Sequence, residues 1–230
     1  MTKEETKSMN SSAHLEGIIN QMDIHGEKDG TISAWVVIGT MDMIKKDADV
    51  TFGNAQLHMV KVAGASGEEA RSLEELSRKD FGRERVCVTV DGTLKTAQGD
   101  VTFVLVSPKD FKITDHIQYK DNRKVALRGE IAATSVNDNY ATMTVDLDGA
   151  RVRVIMSRER QPKMWSDIAA GKIRKGDKVS ASGTMRTQKF TDGGRTIIKM
   201  IVDARRSEKL TLTQKKTEAR KNRPAMGIPR

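Results

Sequence analysis

The order of strand-like and helix-like segments occurs twice along the chain, and this repeat limits the fold more than any other feature. Each half has three short strands, one helical stretch and two further strands. The first helical stretch follows the break at residues 64–67, and the second spans Pro162 to Ile173. Five strands with a helix between the third and fourth is the order of an OB-fold, a small Greek-key barrel. The sequence therefore predicts an all-β protein of two tandem OB-fold barrels, each with one helix between strands 3 and 4.

The two halves also share glycine positions. Leu15-Glu16-Gly17 corresponds to Leu127-Arg128-Gly129, and Gly92-Thr93 corresponds to Gly183-Thr184. These glycines fall in the first and fourth predicted strands of each half. A small barrel must curve sharply in such strands, and glycine permits the bend. The residue repeat thus supports the repeat in element order.

Positive charge is concentrated in the second half. Residues 1–121 contain 15 Lys and Arg against 20 Asp and Glu, residues 122–203 contain 16 against 9, and residues 204–230 contain 9 against 2. A polyanion would be attracted to the second half and weakly repelled by the first. The predicted organisation is a disordered leader at 1–13, an acidic first barrel at 14–115, a linker at 116–124, a basic second barrel at 125–207 and a flexible basic tail at 208–230.

One predicted strand of the second half carries charge and an aromatic ring on one face. Between Val179 and Phe190 the small and apolar side chains fall on odd numbers, which leaves Arg186 and Phe190 on the opposite face. Proteins that hold single strands of nucleic acid stack bases on aromatic rings and neutralise phosphates with cations. The alternative is an ordinary solvated hairpin, since antiparallel sheets commonly expose charge on their outer face.

Residues 122–207 resemble the bacterial-type single-stranded-DNA-binding protein family. The resemblance rests on three stretches: Asn122 to Gly129, Ile173 to Val179, and Gly183 to Asp192. It implies sequence-independent binding of single strands that wrap over four OB-folds, which a homodimer of two-barrel chains would supply. Phe190 stands where the family has a tryptophan on which bases stack, and Arg186 and Lys189 lie in the same motif. Arg151 and Arg153 replace the family's third-strand aromatic, and a basic arm replaces its acidic C-terminal tail.

The leading hypothesis is a non-enzymatic protein that binds and protects single-stranded DNA in replication, recombination or repair. Aromatic residues make up 4% of the chain, so phosphate contacts must supply much of the affinity, and binding should fall steeply with salt. The predicted phosphate-binding residues are Arg151, Arg153, Arg186, Lys189, Arg195 and Lys199. The predicted stacking residues are Phe190 and Tyr140, with Trp35 as a further candidate; Trp165 and Phe103 are expected in the core.

Two alternatives stay open at the level of sequence. The chain could be an adaptor in which both barrels dock proteins, because an OB-fold does not by itself specify a nucleic-acid ligand. It could instead prefer RNA, which offers the same stacking and charge. In the leading hypothesis the acidic first barrel serves dimerisation or contact with replication or recombination proteins.

The sequence contains no motif typical of an enzyme, a metal-binding protein or a membrane-spanning protein. The sequence has neither a phosphate-binding glycine loop with its lysine nor a nucleophile and base at usable spacing. Its four histidines are scattered along the chain. Neither a metal nor another cofactor is expected, and the single cysteine, Cys87, is predicted to be a buried structural thiol. The chain has no apolar run of membrane-spanning length and no secretion signal at its start. We therefore expect a cytoplasmic protein, bacterial or encoded by a phage or mobile element.

Overall fold

A computed structural model of the protein describes most of the chain. The described residues are 11–41, 43–46, 49–53, 55–97, 101–117, 122–148, 150–192, 195–205 and 210–214. Within these ranges the side chains of residues 43–52, 189–198 and 213–214 are outside the description.

The first half consists of strands with one helix after the fifth of them. Its elements are β1 (Ser11–Gly26), β2 (Ile32–Thr40), β3 (Met43–Lys46), β4 (Asp49–Phe52), β5 (Gln56–Ala65), α1 (Gly67–Ser77), β6 (Cys87–Ala97), β7 (Val101–Val106) and β8 (Phe111–Thr114). Burial alternates along the strands, so that Val60 and Val62 are buried while Lys61 between them is partly exposed. This period of two is what a strand with one face on a core requires. β3 and β4 form a separate two-stranded ribbon.

Five strands of the first half pair into a closed ring, called the first ring below. β1 pairs with β2, β2 with β5, β6 with β7, and β6 with β1, all antiparallel, while β5 and β7 pair in parallel. The first ring can close because β1 is long and its register with β2 shifts between Ile19 and Gln21. A shift of this kind bends a strand, and its earlier part then reaches β6.

The second half repeats this plan. Its elements are β9 (Arg123–Val136), β10 (Tyr140–Leu147), β11 (Ala150–Ser157), α2 (Pro162–Ala169), β12 (Lys178–Asp192), β13 (Arg195–Asp203) and β14 (Leu210–Gln214). The pairs β9–β10, β10–β11, β12–β13 and β12–β9 are antiparallel, and β11–β13 is parallel, which closes the second ring. In each half the helix lies between the third and fourth strands of the ring.

The repeated glycines mark places where two backbones come into contact. A Cβ at any of them would overlap a carbonyl oxygen of the neighbouring strand, and none of the four has a positive φ. The colliding pairs are Gly17 with Gly39, Gly92 with Leu105, Gly129 with Asp146, and Gly183 with Asp203. The sequence repeat therefore reflects close approach of strands, which only a residue without a Cβ allows.

The two rings are joined by sheet pairing and by side chains. Ser11 to Leu15 of β1 pair with Arg123 to Leu127 of β9, which makes one continuous 12-stranded sheet. The Asn122 amide donates to the Met41 carbonyl oxygen over 3.1 Å. The Thr187 backbone N–H donates to the Gln56 side chain over 2.9 Å. These contacts fix the orientation of one ring against the other.

The ends of the predicted segments differ from the elements observed. Residues 11–13, predicted in the leader, begin β1; Arg123 and Lys124, predicted in the linker, begin β9; and residues 210–214, predicted in the tail, form β14. In each case pairing with a neighbouring strand supplies hydrogen bonds that local polarity did not indicate. The remainder of the predicted leader and tail lies outside the described residues.

A buried polar group lies where β2, β5 and the start of β9 meet. His58 is fully buried, Arg123 is 1% exposed, and the His58 Nε2 lies 3.0 Å from the Thr40 hydroxyl. Burial, and to a smaller extent the positive charge of Arg123, lower the pKa of His58 to about 3. His58 is therefore neutral in the folded protein at ordinary pH.

Two smaller predictions can be compared directly with the structure. Cys87 is a buried free thiol, as predicted. Within the described part of the chain, no helix is both long and apolar enough to cross a membrane.

Candidate nucleic-acid interface

The outer surface of β10, β11, β13 and β12 carries most of the predicted binding residues. Along β11, Val152 and Val154 are buried in the ring, whereas Arg151 and Arg153 are exposed. The strand registers place Thr144 opposite Arg153, Arg153 opposite Ile201, and Ile201 opposite Arg186, so one row of side chains crosses all four strands. We call this surface the cationic face; its cationic or aromatic members are Tyr140, Arg151, Arg153, Arg186 and Lys199.

Asp203 holds two arginines at one end of the cationic face. The Asp203 carboxylate lies 2.8 Å from the Arg186 Nε and accepts hydrogen bonds from the Arg205 Nε and Nη2 over 2.9 and 2.7 Å. The Arg205 guanidinium lies 5.6 Å from the centre of the Tyr140 ring. Tyr140 and Arg186, predicted separately from sequence, are thus linked through two residues that sequence reasoning missed.

Asp203 is ionised in this arrangement. Burial acts to raise the pKa of its carboxyl, but the hydrogen bonds and charge of Arg205, with the charge of Arg186, hold that pKa below the ordinary value. The same hydrogen bonds raise the pKa of Arg205. A buried carboxylate with two cationic partners fixes both guanidinium planes, which would otherwise sample many rotamers. Asp203 therefore orients the cations of the face, at the cost of one negative charge.

A cavity of about 180 Å³ opens between the cationic face and the first ring. The residues that line it are Thr102, Thr144, Arg151, Arg153, Lys199, Met200 and Ile201. Thr102 comes from β7 of the first ring, and its hydroxyl donates to the Arg151 carbonyl oxygen over 3.5 Å. On the other side of Arg151, its backbone N–H donates to the Thr96 hydroxyl over 3.0 Å. The cavity therefore lies at the junction of the two halves.

Arg151 also forms an ion pair with Asp146, at 2.6 Å between Nε and Oδ1. Both side chains are largely exposed, at 61% and 41%. An exposed pair of this kind contributes about 1 kcal/mol or less and weakens with salt. An incoming anion can therefore compete with Asp146 for Arg151.

The outer surface of the first ring carries an aromatic pair. Trp35 of β2 and Phe103 of β7 meet edge to face with ring centres 4.9 Å apart, and the Lys61 ammonium lies 5.7 Å from the centre of the Trp35 ring. Trp35 is partly exposed, as the strand pattern predicted. Phe103 is buried, as predicted, but it packs against Trp35 on the outer side, since Val104 and Val106 face the interior.

Trp165 lies in α2 and packs partly against the core, in agreement with its predicted place. Its indole N–H donates to the Asn137 carbonyl oxygen over 3.1 Å, and the Arg158 guanidinium lies 4.4 Å from the centre of its ring. Arg158 is exposed and is a further cation that sequence reasoning missed. It lies beside the turn that leads into Tyr140, because its backbone N–H donates to Asn139.

Three predicted binding residues have side chains outside the description. Lys189, Phe190 and Arg195 belong to the β12–β13 hairpin, in which Phe190 is opposite Ile197. Their roles stay predictions. Among the described residues, no three His, Cys, Asp or Glu side chains come together in a way that could hold a metal ion.

The architecture resembles that of solved single-stranded-DNA-binding proteins. The wild-type protein from Thermus aquaticus is 14% identical with a TM-score of 0.59, over 94% of this chain and 98% of that one. A deletion mutant of the same protein is 13% identical with a TM-score of 0.59, over 91% and 96%. A Plasmodium falciparum protein solved with single-stranded DNA is 18% identical over 50% of this chain and all of that one, but its TM-score of 0.33 is too low to carry an argument.

At these identities the likeness to the Thermus structures establishes the fold alone. The chain is a mostly-β protein with the OB-type fold found in single-stranded-DNA-binding proteins, which confirms the predicted fold class at that level. Neither a protein-family model nor a curated protein matches the sequence.

Proposed function

We propose that this protein binds single-stranded DNA without regard to sequence and protects it during replication, recombination or repair. The observation that carries the proposal is the cationic face, on which Arg151, Arg153, Arg186 and Lys199 share one surface with the exposed ring of Tyr140. A surface that combines cations with a stacking ring suits a flexible strand with unstacked bases. The OB-type fold supports the proposal, since strand surfaces of this fold commonly bind oligonucleotides.

The geometry gives each group a separate task. Arg186 and Arg205 are oriented by Asp203 and present N–H groups to phosphate oxygens. Tyr140 is 39% exposed and offers its ring to a base, with the Arg205 guanidinium at its other side. Contacts of this kind recognise phosphate and the π-face of any base, so the binding is independent of sequence.

The proposal extends to the organisation of the chain. Each ring acts as one OB-fold barrel, the residues between β8 and β9 connect them, and a homodimer brings four barrels together. The protein has no catalytic activity in this proposal. Sedimentation of the purified protein, with and without an oligonucleotide, measures the mass that a dimer would have.

A competition experiment tests the proposed function. Unlabelled single-stranded DNA, duplex DNA and RNA compete for protein bound to fluorescein-labelled oligo(dT), followed by anisotropy. We expect single-stranded DNA to compete best and the affinity to fall steeply with salt, because each phosphate contact adds about 0.7 to the slope of log K against log salt. Stronger competition by RNA would favour an RNA-binding function. No binding of any of the three would favour the adaptor alternative.

Replacement of Tyr140 by alanine is expected to weaken oligo(dT) binding about fivefold, since stacking on an aromatic ring contributes about 1 kcal/mol or more per base. Tyr140→Phe keeps the ring and is expected to bind like the wild type. The salt slope should be the same in all three proteins, because the ring contacts no phosphate. A large loss in Tyr140→Phe would mean that the hydroxyl, and not the ring, makes the contact.

A further inference from the structure

The cavity between the two halves has the chemistry of a phosphate site. Arg151 and Arg153 of β11 and Lys199 of β13 supply three cations, and Thr102 and Thr144 supply two hydroxyl groups. The Thr102 hydroxyl would have to turn to a phosphate from the Arg151 carbonyl oxygen, with which its hydrogen bond is long at 3.5 Å. No acidic residue belongs to the described lining of this cavity. Guanidinium and ammonium groups with hydroxyl donors are the groups that bind phosphate oxygens in proteins.

The size and walls of the cavity fit one phosphate group. Its volume is about 180 Å³, and a protein cavity of about 150 Å³ already admits a benzene-sized molecule. Met200, which is also part of the lining, is 4% exposed and belongs to the core, and Ile201 of the outer row is 7% exposed. Part of the wall is therefore fixed by packed side chains of the second ring. The opposite wall is Thr102 of the first ring, which is 6% exposed. Both walls are therefore held by packed structure.

The cavity also lies where the cationic face meets the first ring. On one side the cationic face continues through the row of Arg153 and Arg186. On the other side the wall is Thr102 of β7, which belongs to the first ring. A strand that leaves the cationic face toward the first ring meets the cavity at their junction.

We infer that the cavity binds one phosphodiester group of the nucleic acid, so that a single strand crosses from the second ring to the first at this point. The inference rests on the proposed function. It assigns Arg153 and Lys199 to the same phosphate and gives Thr102, a residue of the acidic half, a direct contact with that phosphate. The first ring is then part of the binding surface.

The salt slope of oligo(dT) binding tests whether the two cations share one phosphate. Arg153→Gln and Lys199→Gln are each expected to flatten the slope of log K against log salt by about 0.7, the value for one phosphate of a single strand. The double variant should be no flatter than either single variant, because only one phosphate contact is lost. Lys163→Gln, an exposed cation on α2, is the matched control and should keep the wild-type slope.

Substitutions at Thr102 test whether the first ring contacts the nucleic acid. Thr102→Val removes the hydroxyl at nearly constant volume and is expected to weaken binding about tenfold, the effect of losing a hydrogen bond to a charged group. Thr102→Ser keeps a hydroxyl and should restore the affinity. The thermal midpoint of each variant, measured without DNA, shows whether the fold is intact.

The outcomes separate this inference from the proposed function. Additive flattening in the double variant, or wild-type affinity in Thr102→Val, would overturn the inference while leaving single-strand binding in place. Absence of oligo(dT) binding by the wild type would contradict both the inference and the proposed function. A rise of the thermal midpoint with millimolar inorganic phosphate, at constant ionic strength, would make the cavity a site for free phosphate and would also overturn the inference.

Discussion

Gly129→Ala is expected to lower the free energy of unfolding by about 3 kcal/mol, the upper part of the range for overpacked sites. The added Cβ would overlap the carbonyl oxygen of Asp146 in β10, and it would also meet the side chains of Val145 and Leu147. A side chain can rotate away, but a carbonyl oxygen in a sheet can move only if the strand moves with it. The loss is measured by urea denaturation followed by circular dichroism.

Gly26→Ala is the matched control, because this glycine also lies in a strand but has no heavy atom within 4 Å of an added Cβ. We expect it to unfold close to the wild type. Gly183→Ala, at the corresponding contact with the Asp203 carbonyl oxygen, should lose stability to a similar degree. Equal stability of the Gly129 and Gly26 variants would show that the strands can separate without cost and would contradict this account of the repeat.

Acidification from about pH 7 to about pH 5 is expected to cost about 2 kcal/mol of stability through His58 alone, at about 1.4 kcal/mol for each pH unit below its unfolded pKa of about 6.5. The folded-state pKa of His58 is lowered to about 3 by burial and then by the charge of Arg123. The unfolded chain therefore takes up a proton near pH 6.5 that the folded protein does not accept. The stabilising contribution of neutral His58 is therefore fully present above about pH 6.5 and is lost as the pH falls toward the folded-state pKa.

The Thr40 hydroxyl and the Arg123 guanidinium face His58, and the charge of Arg123 disfavours protonation of the imidazole. His58→Gln removes the titrating group and should flatten the loss of stability between about pH 7 and about pH 5, measured by urea denaturation at each pH. An equally steep loss in this variant would exclude His58 as its cause.

His14 provides a comparison of opposite sign. Burial acts to lower its pKa, but hydrogen bonds and charge from Asp91 and Glu16 outweigh burial, and the pKa is raised. Its contribution is therefore present below about pH 6.5 and is lost as the pH rises through the folded-state value. We expect His14→Gln to steepen the acid loss that His58→Gln flattens.

The fold was predictable because its requirements are local and occur twice. Strands such as β5, β9, β10 and β11 show a burial period of two, and the glycines at 17, 92, 129 and 183 repeat since each ring brings the same backbones into contact. The segment ends were less predictable. Arg123 falls in the predicted linker, yet it is buried near His58, where its pairing with β1 holds it.

The residues of the candidate site were predictable only where the alternation of side chains along a single strand indicates them. Alternation along β11 and β12 identified Arg151, Arg153 and Arg186 from sequence alone. Asp203 and Arg205 carried no such signal, because their role depends on the register that brings β12 beside β13 and on a ring contact with Tyr140. The cavity depends on the packing of the two rings against each other, which no single segment encodes.

The order in which the rings close along the chain affects how the protein can fold during its synthesis. All pairings of the first ring lie between Ser11 and Val106, so this ring can form while the second half is still being made. At roughly 5–20 residues per second the ribosome gives it several seconds before β13 emerges. Pairing between β1 and β9 needs the chain only up to Leu127, so β9 can add to the closed first ring before the rest of the second half is made. Closure of the second ring through β12 and β13 is then the last step.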